Sequence, residues 1–298
     1  MICLIGPTAT GKSVLAVDLA LALTAHGQPA EIVNADAMLV YRGMDIGTAK
    51  PSLAERRGIP HHVIDIMEVS QPASVALFQG LARAAITDIR SRGHQPILVG
   101  GSALYLHAIV DQVDFPPTDL AVRSRLEADL AAVGPVRLHQ RLAEAAPEVA
   151  AQIDPANSRR VVRALEALEL RGDFSPVLPQ WRYALDPVIQ LGLDIARPVM
   201  DQRIADRVER MWQGGLVAEV EDLIGRGLRE GKTASRAIGY RQVLDYLDGR
   251  LDRRQAQELT VVRTRQFSRK QLSWWRRDQR IAWLPAGSSA DDLLAALG

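Results

Sequence analysis

Eight residues near the start of the chain have the types and spacing to hold a phosphate. Gly6-Pro7-Thr8-Ala9-Thr10-Gly11-Lys12-Ser13 fits G-x-x-x-x-G-K-[ST]. The glycines let backbone N–H groups turn toward phosphate oxygens. A helix beginning near Lys12 would add the positive end of its dipole. Lys12 supplies a full charge, and the Ser13 hydroxyl can ligate Mg²⁺. The motif binds a phosphorylated ligand without naming a reaction. An ATPase motor adds a strand ending in an acidic residue that holds Mg²⁺. Here the strand-like Ile97–Val99 runs into Gly100-Gly101-Ser102 instead. Small-molecule kinases and other group transferases remain.

A second candidate is Asp36, which ends the apolar run Ile32-Val33-Asn34-Ala35. In an open α/β sheet the carboxyl ends of the strands face the ligand crevice. Asp36 should therefore look toward whatever the loop holds. Taken by itself, an N-cap or turn aspartate is the simpler account. His61 and His62 are adjacent, point to opposite faces of an extended segment and have no cysteine cluster beside them. They are assigned no metal.

These residues need a frame. Apolar runs at Ile2–Ile5, Glu31–Asn34, Val63–Met67 and Pro96–Val99 read as buried parallel strands. Helix-like stretches, Ser13–Ala25 and Ser74–Arg92, lie between them. The alternation predicts an α/β fold with a P-loop NTPase-like parallel sheet. From Pro116 to about Arg171 the pattern turns helical throughout. A strand at Val188–Asp194 follows a Pro-containing stretch around Pro176–Pro187, and amphipathic helices fill most of the remainder. The expected organisation is a core of residues 1–115 and 188–298, interrupted by a helical insertion at 116–187.

The bulk numbers exclude some classes. The chain has 298 residues, 47% hydrophobic and 24% charged, which is ordinary for a globular protein. A lone cysteine, Cys3, rules out an internal disulfide framework and favours a reducing compartment. Cys3 sits in an apolar run and reads as core. No segment reaches the roughly 18 apolar residues of a membrane span. The chain starts directly in a strand-like run, so the cytoplasm is expected. Net charge is only +1, yet Arg250–Arg280 holds ten basic and three acidic residues. That excess invites a polyanion, although such a run is often a solvated helix face.

Longer blocks carry a resemblance. Asn34–Pro51 (NADAMLVYRGMDIGTAKP) is similar to the signature of the tRNA dimethylallyltransferases, also called tRNA isopentenyltransferases. The likeness continues through Ile59–Val63, Val99–Tyr105, Arg159–Glu166, Gly214–Val217, Ala237–Gln242 and Thr264–Trp274, in the family's order. Two departures stand out. The family usually has serine where this chain has Ala37, and Thr-Gly where it has Ser102-Ala103.

The resemblance implies transfer of a dimethylallyl group from dimethylallyl diphosphate to N6 of adenosine 37 in the tRNA anticodon loop, with Mg²⁺ as cofactor. It implies Asp36 as general base, Ser102 as a positioning group and Arg123 near the reaction centre. Residues 6–13 would bind the donor. The blocks matching tRNA contacts contain Asp36, Ala37, Met38 and Leu39; Arg159, Arg160 and Arg163; Arg236, Gly239, Tyr240 and Arg241; and Arg269, Lys270, Gln271, Trp274 and Arg276. The partners implied are the anticodon stem-loop and the allylic diphosphate, with no membrane and a monomeric state expected. On an ideal helix Arg265, Arg269, Arg276 and Arg280 fall within about 60° of one another, a stripe suited to phosphates. Phe267, Trp274, Trp275 and Trp283 interleave with it, and aromatics so placed are more often core than stacking platforms. The rival readings are a P-loop kinase or an isopentenyltransferase acting on a free nucleotide, and a nucleotide-binding switch that does no chemistry.

Overall fold

The computed structural model describes residues 1–176 and 181–297. In chain order the elements are β1 (Ile2–Ile5), α1 (Lys12–Ala25), β2 (Ala30–Asn34), α2 (Leu53–Arg56), β3 (His61–His62), α3 (Val75–Ser91), β4 (Gln95–Gly100) and α4 (Ala103–Val110). Then come α5 (Leu120–Ala145), α6 (Pro147–Ala150), α7 (Ser158–Arg171) and β5 (Ile189–Asp194). The chain finishes with α8 (Arg197–Gln213), α9 (Leu216–Gly225), α10 (Tyr240–Leu247), α11 (Arg253–Trp275), β6 (Ile281–Pro285) and α12 (Ala290–Leu297).

Two compact units result, Met1–Asp111 with Tyr183–Gly298, and Gln112–Arg182. The first holds the six-stranded sheet, ordered β3-β2-β4-β1-β5-β6 with every pair parallel. Alternation along β1 explains its two-sided burial. Cys3 and Ile5 enter one apolar cluster with Val33, Leu98 and helices α3, α4 and α8–α11. Ile2 and Leu4 enter the opposite cluster with α1, Leu191 and Leu193. Cys3 is fully buried, and that burial pushes its thiol up to about 12.

The second unit has its own core, with Leu126, Leu138 and Leu142 of α5 packed on Val161 and Val162 of α7. Gly134 (φ 79°) and Pro135 break α5 into two helical pieces. The Pro-containing stretch before β5 includes residues 177–180, which lie outside the described residues.

One strand expectation changes. The strand expected at Val63–Met67 is instead the two-residue β3, His61–His62. Val63 and Asp65 take φ values of 60° and 56°, which no strand ladder accommodates. The mostly helical region after β5 also contains β6, an edge strand parallel to β5 that closes with Pro285 and that the sequence reading did not name.

Candidate active site

Three loops meet the carboxyl ends of neighbouring strands. The Gly6–Ser13 loop follows β1, Ser102 follows β4 and Asp36 follows β2. β4 lies between β1 and β2, with Ile5 level with Gly100 and Asn34 level with Val99. Strands in a sheet are about 4.8 Å apart, so the three loops share one edge. The approach is close enough to require glycine at position 100, where a Cβ would stand 2.5 Å from the Ala35 carbonyl oxygen.

The phosphate loop turns through Gly11 (φ 92°), which caps α1 without a side chain in the way. Lys12 folds back over the loop, its ammonium 2.6 Å from the Pro7 carbonyl oxygen and 3.4 Å from Thr10 Oγ1. Burial pushes the Lys12 ammonium down to about 8, and Arg207 adds to that shift while Asp36 opposes it. Ser13 is exposed on the first turn of α1. Its hydroxyl is a hard oxygen donor beside the loop. Among the described residues no group of three or more His, Cys, Asp or Glu could hold a metal. A serine hydroxyl is the kind of oxygen donor Mg²⁺ accepts alongside phosphate oxygens and water.

Asp36 is half-buried and held by its neighbours. Asn34 Oδ1 accepts from the Asp36 amide at 2.7 Å, and Asn34 Nδ2 donates to the Asp36 and Val63 carbonyls, each at 2.9 Å. Asp36 Oδ1 accepts from the Met38 amide at 2.9 Å, and Oδ2 remains for other partners. Ala37, Met38 and Leu39 follow it, all partly exposed. Ser102 caps α4 with no side-chain capping bond. The departure at Ala103 brings no strain, because the position is the first residue of α4 and alanine favours helix.

Arg207 of α8 was not legible in the sequence, where it is one of several arginines in an unremarkable helix. Its Nη1 donates to Thr8 Oγ1 at 3.2 Å and its Nη2 to the Thr48 carbonyl at 3.0 Å. Burial lowers its pKa, with the Asp36 charge opposing the shift. The loop therefore carries two cations, Lys12 and Arg207, with Asp36 acting on both.

Several expected tRNA contacts lie buried or half-buried among protein partners. Gln271 is buried, with Oε1 accepting from the Thr8 amide at 3.1 Å and Nε2 donating to the Gly101 carbonyl at 2.8 Å. Tyr240 is fully buried and donates to Glu219 at 2.6 Å. Glu219 also accepts from the amides of Asp45, Ile46 and Gly47, so Tyr240 braces that loop rather than facing a partner. Gly239 is the buried residue before α10. Trp274 is half-buried and packs edge-on against His107 and Trp275.

The arginine stripe also shrinks, since α11 stops at Trp275. Arg276 pairs with Asp194 at 3.1 Å. Arg280 lies beyond the helix and binds buried Asp111 and Asp278 at 2.6 and 2.7 Å. Arg265 donates to the Asp201 carbonyl. Arg269 and Lys270 are exposed on this part of α11. Arg236 and Arg241 are exposed near α10, with Arg241 3.1 Å from Asp245.

The remaining residues belong to the second unit. Arg159 and Arg160 are exposed at the start of α7, and Arg160 donates to the Pro176 carbonyl. Arg163 is spent on Glu166 and the Pro116 and Pro117 carbonyls. Arg123 donates through Nε and Nη2 to the same Glu166 oxygen, at 3.2 and 2.5 Å. Burial opposes ionisation of Glu166, yet the two arginines outweigh it and hold the carboxyl low. No helix among the described residues is long and apolar enough to cross a membrane.

Known proteins resemble this chain over most of its length. The sequence model of the family described as IPP transferase matches residues 39–278. A tRNA dimethylallyltransferase of Kineococcus radiotolerans is 56% identical, over 98% of this chain and 93% of that protein. The crystal structure of a tRNA isopentenylpyrophosphate transferase from Bacillus halodurans is similar at TM-score 0.70 and 37% identity, covering 99% of this chain and 93% of that one. A eukaryotic dimethylallyltransferase solved acting on tRNA matches at TM-score 0.80 and 28% identity, over 96% and 73% of the two chains. A phosphate loop, an acidic residue two positions past β2 and these full-length likenesses converge: the chain belongs to the IPP transferase family.

Proposed function

We propose that this chain transfers a dimethylallyl group from dimethylallyl diphosphate to N6 of adenosine 37 in the tRNA anticodon loop, releasing diphosphate. The observation that carries the reading is the meeting of the phosphate loop, Asp36 and Ser102 on adjacent strands of one sheet edge, in a member of this family. The N6–C1 bond forms as the C1–O bond breaks, and the bonding pair leaves on the diphosphate. Loop amides, Lys12 and Arg207 offset the negative charge that develops there. The adenine amine is a poor nucleophile, because its lone pair is delocalised into the ring. Asp36 accepts the N6 proton through Oδ2, while Oδ1 stays with the Met38 amide.

Ser13 would hold Mg²⁺, which supplies further charge compensation for the diphosphate when bound. Ser102 orients the reacting groups. Arg123 commits Nε and one Nη2 N–H to Glu166, and its other Nη N–H groups remain to be offered. The target base must be splayed from its stack, at a cost of a few kcal/mol. Exposed Arg269 and Lys270, with Arg159, Arg160, Arg236 and Arg241, are the cations proposed to offset that through phosphate contacts.

The test incubates the protein with labelled dimethylallyl diphosphate, Mg²⁺ and unmodified tRNA. Label on adenosine of the anticodon loop is the expected result. Label appearing only on added free adenosine nucleotide would overturn the tRNA assignment.

A further inference from the structure

Gln271 joins two loops that are far apart in sequence. Its Oε1 accepts from the backbone amide of Thr8 at 3.1 Å, and its Nε2 donates to the Gly101 carbonyl at 2.8 Å. The first loop follows β1 and the second follows β4, directly before Ser102. Both bonds are made by a side chain 5% exposed. A buried amide satisfied at both ends is geometrically demanding, because each bond fixes the other.

The surroundings leave Gln271 little freedom. A Cβ at Gly101 would stand 2.6 Å from its Nε2 and 3.0 Å from the Gly6 carbonyl oxygen. Thr8 is held a second time by Arg207, which donates to its hydroxyl at 3.2 Å. One amide of the phosphate loop is thus used internally. The amides that follow it, up to the first turn of α1, are left to face an anion.

We infer that Gln271 is a positioning residue for the donor diphosphate: it sets the phosphate loop against the Ser102 loop. The inference rests on the transferase reading above for the reaction, and on the two hydrogen bonds for the role. Its position on α11, one residue after exposed Lys270, ties the donor loop to the helix with the exposed cations. Removing the amide frees Thr8 to rotate its peptide and lets the Ser102 loop drift from β1. Donor binding and turnover then suffer while the polyanion-facing surface is untouched.

The test compares wild type with Gln271→Leu and Gln271→Met, which keep the bulk and remove both bonds. Titration with inorganic diphosphate and Mg²⁺ should show a Kd about tenfold weaker, the worth of a pair of neutral hydrogen bonds. KM for dimethylallyl diphosphate should rise alike and kcat should fall, with tRNA Kd within twofold of wild type. Hydrogen exchange at the Thr8 amide should quicken about tenfold or more, while β1 stays protected. A uniform loss of stability would not give that local signature. The less disruptive Gln271→Met decides the matter if Gln271→Leu fails to fold. Diphosphate Kd and Thr8 exchange both within twofold of wild type would overturn the assignment. So would a loss confined to tRNA affinity. The diphosphate titration stands without the transfer reaction, so failure of wild type to prenylate tRNA would sink the proposed function and leave Gln271 to be judged separately.

Discussion

Asn34 holds Asp36 from both sides, accepting its amide at 2.7 Å and donating to its carbonyl at 2.9 Å. The same Nδ2 reaches the Val63 carbonyl, where the chain turns with φ 60°. A buried side chain of β2 thus fixes the backbone of the acidic residue two positions on. Asn34→Asp removes both donors and sets a carboxylate against two carbonyl oxygens. It should lower stability by about 1–3 kcal/mol and depress kcat more than either KM. Thermal unfolding and single-turnover rates check it. An unchanged kcat in a folded variant would show that Asp36 needs no such support.

Asp36→Asn separates base catalysis from hydrogen bonding. The amide keeps the size, and its Oδ1 can still accept from the Met38 amide. With the base lost, kcat should fall about 10²–10⁴-fold while tRNA affinity changes little. A loss below about tenfold in single turnover would mean that Asp36 only orients the amine.

Lys12 predicts a pH dependence of donor binding. Its ammonium titrates near 8 in the free protein, because burial and Arg207 disfavour the charge. A bound diphosphate favours the charged form and raises that value. Binding above pH 8 therefore takes up a proton, and affinity should weaken as pH climbs from 8 toward 10. Lys12→Arg should flatten this limb, since guanidinium does not titrate there. Diphosphate titrations at several pH values test it. An equally steep fall in the Lys12→Arg protein would assign the dependence to another group.

Arginines of one short region should split by partner. Arg269 and Lys270 are exposed, and replacing both by alanine should reduce the slope of log K for tRNA against log salt by about 1–2. Donor KM should stay put. Arg280→Ala should do the reverse. It takes the arginine from fully buried Asp111, which keeps His107 beside it, and should cost about 3–5 kcal/mol with the salt slope unchanged. Filter binding across a salt series and thermal melts decide between them. A changed salt slope in Arg280→Ala would return it to the polyanion surface.

The phosphate loop, the alternating α/β pattern and the acidic end of β2 were legible in the sequence because each is a local arrangement. A loop that bends around phosphate needs its glycines and its lysine within eight positions, so spacing alone reports it. Parallel strands buried on both faces need continuous apolar runs, and those runs mark β1, β2, β4 and β5. The burial of Cys3 follows in the same way. Tertiary structure alone decided which polar residues serve the fold. Gln271 sits 263 positions from Thr8, and no periodicity announces their bond. Tyr240, Arg163 and Arg280 read as polyanion contacts until Glu219, Glu166 and Asp111 are seen to occupy them. Arg207 carried no motif, yet it reaches Thr8 because α8 passes the loop. Charge on a helix is visible in one dimension, but whether it faces solvent or a buried carboxylate depends on what packs against it in three.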